Sequence, residues 1–450
     1  MSAVALPHDE RLPQLATALD GATMAGVFDD VVRAHDVTVE RCDIERVKYR
    51  PASHCRVAYR LHLRHRAGGP AFEQRVAARV GADSDRRATR AALRPLTPSA
   101  GGPALRLLPA LQMLTWWWPN DAKLRAPAWL ADAARRRAEL LPGVLGALGG
   151  GRLIDHAVDV VQYVPEQRLT ARVALQWHDG RAVRTQRVYA KASREPDGAA
   201  AHGLLAQLQA SAAWREGRLC TPAALLWQPA AGLHWQTEAP GRAWLDLPAA
   251  QADALMPALG RQLAALHATP VATARAVTLA AMQARLIEVV ATVGAALPAS
   301  QRDLRRAAAA LTRGLRHVEG AAPASLHGDL HPRNLLVDGD RLSIIDLDGL
   351  RRGPALLEIG SWIADGAYRA LLAGTPPDAP HDGWRALLEA YAAAGGARFD
   401  AGALAWATAW GLLTQRAFRC VVNLKPGRFA IAPRLVTLAG AIAEGRMLDL

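Results

Sequence analysis

The chain has 450 residues, room for two or three domains, and its 51% hydrophobic and 21% charged residues exclude a disordered polypeptide. A formal net charge of +13 raises nucleic acid as a partner. The arginines are scattered, however, and no basic groove interleaved with aromatics and no nucleic-acid module is present, so no nucleic-acid partner is expected.

The N-terminal twenty residues hold no apolar core of signal-peptide length, and no run approaches the ~20 apolar residues that span a bilayer. Cys42, Cys55, Cys220 and Cys420 lie far apart without CxxC spacing, which fits reduced thiols. A soluble, cytoplasmic protein with no membrane partner is expected.

The first half contains a repeat. Tyr49 and Pro51 recur as Tyr163 and Pro165, an offset of 114 residues, and Gln74-Arg75-Val76 recurs as Gln186-Arg187-Val188, an offset of 112. Alternating apolar and polar residues make each copy a three-stranded antiparallel unit. A helix follows each, Arg86 to Leu93 and Gly198 to Arg215. Lys191 ends the third strand of copy two, and Arg79 stands at that place in copy one. Between the copies, Trp116-Trp117-Trp118 reads as core or interdomain filling, with sugar stacking the alternative, and Arg135-Arg136-Arg137 as a solvated helix face.

Leu233 to Thr237 reads as a strand that Pro240-Gly241 turns away. The following helix, Leu255 to His267, places Leu255, Leu259, Leu263 and Leu266 on one face. Residues 278–318 form one or two Ala-rich helices broken near Leu297-Pro298. Further helices are expected over Trp362 to Leu372, Gly383 to Ala394 and Ala403 to Val422.

Residues 327–348 carry the chemistry. Gly328 and Pro332 keep Asp329 and Asn334 on a loop. Leu335-Leu336-Val337, a turn at Asp338-Gly339-Asp340, and Leu342 to Ile345 make a hairpin that returns Asp346 to that loop. One carboxylate to orient a hydroxyl, with an amide and a second carboxylate to hold magnesium, is the set phosphoryl transfer needs. A surface turn rich in Asp and Asn explains any one of these residues but not the ordered set.

This segment resembles the catalytic loop and metal-binding strand of the aminoglycoside phosphotransferase and choline kinase-like family, relatives of protein kinases. The resemblance implies an α+β, protein-kinase-like bilobal fold, with a small antiparallel β-rich N-lobe and a mainly helical C-lobe. It implies three parts: 1–150 as a cap-like module with the first repeat copy, 151–240 as the nucleotide lobe, and 241–450 as the helical lobe. Asp329 would be the catalytic carboxylate, Asn334 and Asp346 the Mg2+ ligands, and His327 a loop-shaping residue near the cofactor. Lys191 would contact ATP phosphates, although an ordinary strand lysine reads the same. Thr237, Glu238 and Ala239 would offer backbone groups to adenine. Ala264-Ala265-Leu266-His267 matches the family's LAxLH helix end, with His267 a buried residue rather than a ligand.

Three departures stand out. No Glu lies between Gly198 and Trp214 to pair with Lys191, leaving His202 or Gln207. Pro165-Glu166-Gln167-Arg168 replaces the glycine-rich phosphate loop, so Arg168 or backbone amides would meet phosphate. Gly353-Pro354 and Glu358 fit the GxPxxD pattern with Glu in place of Asp, a stretch read as supporting structure. The expected function is transfer of the γ-phosphate of ATP to a hydroxyl of a sugar, amino alcohol or aminoglycoside-like small molecule. The alternative is a pseudokinase that binds a nucleotide or protein as a regulator. Arg416, Arg419, Lys425 and Arg428 cluster near the C-terminus, which weighs against a polycationic acceptor.

Overall fold

The computed structural model describes residues 6–194, 196–377 and 382–445. The chain divides into two compact units. One is Met1–Ala199 with Leu225–Gln236 and Val422–Pro426; the other is Ala200–Ala224, Thr237–Val421 and Gly427–Leu450.

The repeat becomes two five-stranded sheets. The first holds β1 (Val37–Arg50), β2 (His54–His65), β3 (Phe72–Val80), β4 (Leu105–Leu108) and β5 (Met113–Trp117). The second holds β6 (Arg152–Val164), β7 (Arg168–His178), β8 (Val183–Ser193), β9 (Ala224–Gln228) and β10 (Leu233–Thr237). Their strand orders correspond: β1-β2-β3-β5-β4 and β6-β7-β8-β10-β9. Each is therefore two strands larger than the three-stranded unit read from the sequence. Cross-strand register aligns Lys48, Arg56 and Arg79 in the first sheet. It aligns Gln162, Thr170 and Lys191 in the second, so Arg79 and Lys191 hold equivalent positions.

Both sheets contribute to one buried cluster, which includes Leu114, Trp116, Leu141, Val144, Val173 and Trp235. Burial of this apolar surface is what holds the unit together. Trp117 is fully buried, edge-on to Phe28 at 5.7 Å, so it is core and no sugar platform. The arginine run is only partly a solvated face, with Arg137 exposed and Arg135 and Arg136 half-buried. Arg135 lies 3.4 Å over the Trp129 ring, Arg136 donates to the Leu130 carbonyl, and Arg137 to that of Leu153 at 3.1 Å.

In the second unit, helix Met256–Ala268 packs on Asp382–Ala393, and Ala355–Ala373 on Ala401–Gly411. Leu279–Ala296, 18 residues and the first of the Ala-rich helices expected over 278–318, is the one helix among the described residues long and apolar enough to cross a bilayer. It carries Arg285, paired with Glu288 at 2.7 Å and lying 3.9 Å over the Phe418 ring. The helix expected over 403–422 is interrupted: Ala401–Gly411 continues through a π-helical turn, Leu412–Ala417, into Phe418–Asn423. Such a turn changes which face the following side chains occupy, here Arg416 and Arg419.

Five short strands complete this unit: β11 (Arg242–Ala243), β12 (Pro323–Leu326), β13 (Leu335–Asp338), β14 (Arg341–Ile344) and β15 (Arg351–Pro354). β13 and β14 form the expected hairpin, β11 pairs with β13, and β12 with β15. Gly241 allows the β11 approach. Its φ is 107°, and a Cβ there would lie 2.4 Å from the Val337 carbonyl oxygen.

Candidate active site

The loop between β12 and β13 is fixed from below by one carboxylate. Glu358, in helix Ala355–Ala373 and 4% exposed, accepts from the amides of His327 (3.0 Å) and Gly328 (2.8 Å) and from Nε2 of His267 (3.0 Å). His267 in turn meets the Tyr391 hydroxyl through Nδ1 at 2.8 Å, which makes it the buried structural histidine expected. Burial pushes the Glu358 carboxyl up, but the hydrogen bonds from His267 and from the Gly328 amide outweigh it, and the net shift is downward. The residue in the Asp position of the family pattern thus anchors the loop. Gly328 is required at its place: φ is 81°, and a Cβ would fall 2.4 Å from Arg351 Nε.

His327 links loop and hairpin. Its Nε2 lies 2.8 Å from the Ile345 carbonyl, which can only accept, so Nε2 carries the proton and Nδ1 accepts the Asp329 amide at 3.2 Å. Asn334 donates Nδ2 to the Asp329 carbonyl (3.0 Å), and its own carbonyl accepts the Ile345 amide (2.9 Å). The register Leu335↔Ile344 sets Asn334 beside the residue preceding Asp346. Asp346 adopts a left-handed conformation, φ 63° and ψ 48°, uncommon for a residue other than glycine. Asn334 and Asp346 supply hard oxygen donors. Among the described residues, no three His, Cys, Asp or Glu side chains form a closed metal cage. A magnesium ion on these two residues would need further oxygen ligands, from phosphate or water.

Asp329 faces a basic group. Arg419 Nη2 lies 2.7 Å from its Oδ1, and His331 Nε2 lies 3.9 Å away. Burial pushes Asp329 up; Arg419, by its charge and its hydrogen bond, outweighs it and holds the carboxyl below its ordinary value. Burial also lowers His331 to about 4, so this imidazole is neutral at pH 7. Beyond lie Arg416, 3.2 Å from Asp365, and Arg369, 2.5 Å from the other oxygen of Asp365.

The expected nucleotide residues fall in different settings. Lys191 is buried in β8 opposite Thr170, and Arg168 opens β7 opposite Ser193. The turn before Arg168 is not a free phosphate cradle. The Glu166 amide donates to Asp121 Oδ2 at 3.0 Å, and Tyr163 donates to the same oxygen at 2.6 Å. The buried Glu166 carboxylate lies 3.3 Å from Lys123 and 3.8 Å from Arg56. Thr237 is also engaged: its amide donates to the Ala223 carbonyl (2.9 Å) and its Oγ1 accepts the Ala223 amide (2.8 Å). That amide is therefore not offered to adenine, and Glu238 and Ala239 follow it in the chain. Gln207, a proposed stand-in for the missing glutamate, accepts the Ala272 amide at 2.7 Å.

Glu358 supports the loop, as expected of the acidic residue in the GxPxxD position. Sequence reasoning missed two contacts, Arg419 on Asp329 and Asp121 on the β6–β7 turn, which join residues 90 and 45 positions apart with no motif between them.

The sequence profile of the phosphotransferase enzyme family, APH, matches residues 160–410, more than half of the chain. No curated protein matches in sequence. Among solved structures, a choline/ethanolamine kinase family protein from Mesorhizobium loti is 17% identical, covering 64% of this chain and 92% of its own, with a TM-score of 0.43. Macrolide 2'-phosphotransferase MphH from Brachybacterium faecium is 16% identical, covering 67% and 97%, with a TM-score of 0.42. Spectinomycin phosphotransferase APH(9)-Ia, solved with ADP and spectinomycin, is 11% identical, covering 65% and 94%, with a TM-score of 0.44. With this match over more than half of its length, the chain belongs to the phosphotransferase enzyme family and is a phosphotransferase acting on an alcohol group.

Proposed function

We propose that this protein transfers the γ-phosphate of ATP to a hydroxyl of a small molecule, with Asp329 as the catalytic carboxylate. The observation that carries the reading is the joint fixing of Asp329, Asn334 and Asp346. One hydrogen-bonded loop, anchored by Glu358 and His327, holds the first two against the residue preceding the third. Pre-set positions of this kind are most of what phosphoryl transfer requires of a protein.

Asp329 would accept a hydrogen bond from the acceptor hydroxyl and aim its oxygen at the γ-phosphorus. Asn334 and Asp346 would hold Mg2+, which when bound offsets the negative charge of the phosphates. Lys191, with Arg168, would contact the nucleotide phosphates, and residues 238–239 the base. This assigns the second sheet to nucleotide binding and leaves the first as an added module. The acceptors implied by the resemblance, a sugar, an amino alcohol or an aminoglycoside-like molecule, all present a hydroxyl.

The pseudokinase reading has its own support in the carboxylate of Glu166 within the turn and the ion pair on Asp329. Against it stands the intact triad of Asp329, Asn334 and Asp346, which a binding-only protein has no chemical need to keep. Thermal shift and ATP hydrolysis decide between them. Magnesium-ATP should raise Tm and be hydrolysed slowly, with water in the acceptor's place, and Asp329→Ala should lose the hydrolysis. The enzyme reading fails if magnesium-ATP gives neither a thermal shift nor any labelled product across a broad metabolite pool.

A further inference from the structure

We propose that the acceptor carries an acid group beside its reactive hydroxyl, and that Arg419 binds this acid and in doing so releases Asp329. The inference rests on the kinase reading above and narrows its substrate class.

Among the described residues, Asp329 is the one hydrogen-bond partner of Arg419. A guanidinium has five donors in a planar fork, so most of the Arg419 fork is uncommitted, and its side chain is 37% exposed. Behind it, Arg416 is 5% exposed and spends its Nη atoms on Asp365 (3.2 Å) and the Ser361 carbonyl (3.5 Å), while its Nε is buried without a partner. His331 Nδ1 is a second buried polar atom without a partner. Three guanidiniums, Arg369, Arg416 and Arg419, surround two carboxylates, Asp329 and Asp365, leaving one positive charge in excess. Arg351, whose charge is met first by Glu358, lies within electrostatic reach of Arg419 and Asp329 as well.

A cationic acceptor entering here would be repelled and would leave the Arg419–Asp329 pair closed. A carboxylate or phosphate monoester offers Arg419 a bidentate partner in place of the single oxygen of Asp329. Oδ1 of Asp329 is then available to the hydroxyl of the same molecule. The acceptor oxygen forms a bond to the γ-phosphorus as the bond from that phosphorus to the β,γ-bridging oxygen breaks. The hydroxyl proton passes to Asp329, and ADP leaves with the bridging oxygen. Phosphate transfer thereby becomes conditional on a charge next to the reacting hydroxyl, which is a specificity device as well as a binding contact.

The test separates a metabolite extract by ion exchange into acidic, neutral and cationic fractions and incubates each with the full-length protein, Mg2+ and γ-labelled ATP. Labelled product should arise from the acidic fraction. Pre-treating that fraction with a phosphomonoesterase separates the two sources of the acid: labelling survives for a carboxylate and is lost for a phosphate monoester. Arg419→Gln should raise KM for the acidic fraction about tenfold or more, the size of one lost charge-assisted contact. Arg419→Lys, which keeps the charge but not the fork, should fall between, and serves if the glutamine variant does not fold. Label from the neutral or cationic fraction alone would overturn the proposal and leave the kinase reading standing. No label from any fraction, together with no thermal shift from magnesium-ATP, would remove both. An unchanged KM in folded Arg419→Gln would also overturn it.

Discussion

Glu358→Gln tests whether the catalytic loop is set by a buried carboxylate. In the wild type, two backbone amides and one imidazole N–H converge on Glu358 at 2.8–3.0 Å, and the residue is 4% exposed. An amide of the same shape keeps one acceptor oxygen but turns an NH2 group toward a donor that has no water to take its place. At about 1.5–3 kcal/mol for a hydrogen bond to a charged group, loss of at least one such bond should cost about 2–4 kcal/mol. Tm should fall by roughly 5–10 °C. Because the amides of His327 and Gly328 directly precede Asp329, phosphate transfer should fall by about 10²-fold from misplacement alone. The sign of the pH effect follows from the carboxyl's lowered value. Its stabilisation is complete above the unfolded value of about 4.5 and is lost as pH falls through the lower folded value. The gap between wild type and Glu358→Gln, measured by denaturant unfolding, should therefore be constant from pH 7 to about pH 5 and narrow below pH 4.5. Equal Tm and equal turnover in the two proteins would refute the anchoring role.

Asp346→Asn should weaken magnesium-dependent nucleotide binding far more than magnesium-free binding, since a neutral amide is a poor substitute for an anionic oxygen on a hard cation; titration calorimetry with and without Mg2+ reads the difference. Lys191→Ala should sharply reduce nucleotide affinity, whereas Arg79→Ala, at the equivalent register position of the first sheet, should change stability with little effect on ATP; the reverse outcome would exchange the roles of the sheets. Asp121→Ala removes the acceptor shared by Tyr163 and the Glu166 amide, and should cost about 1–3 kcal/mol in denaturant unfolding.

How much of this was legible in the sequence depended on the range of each interaction. The Gly328–Pro332 loop and the β13–β14 hairpin were readable because glycine, proline and a two-sided apolar run act over a few residues. The repeat was readable because duplicated strands keep their alternation, as the matching registers of Arg79 and Lys191 display. β4, three half-buried leucines around an exposed Arg106, is too short to betray itself by alternation, and the order β3-β5-β4 is a tertiary choice. The π-helical turn at Leu412–Ala417 left no pattern distinct from a regular helix, yet it changes the facing of Arg416 and Arg419. Pairings such as Arg419 with Asp329, or Glu166 with Arg56 and Lys123, are decided by packing and left only a general hint, a basic cluster near the C-terminus.

The central claim is that Asp329 performs phosphoryl transfer, and single-turnover transfer from γ-labelled ATP by wild type and Asp329→Ala, with nucleotide affinity measured in parallel, tests it most directly. The account predicts a rate loss on the order of 10² or more with nucleotide affinity nearly unchanged, because this carboxylate serves the hydroxyl and not the nucleotide. Wild-type turnover in a correctly folded Asp329→Ala protein would contradict it.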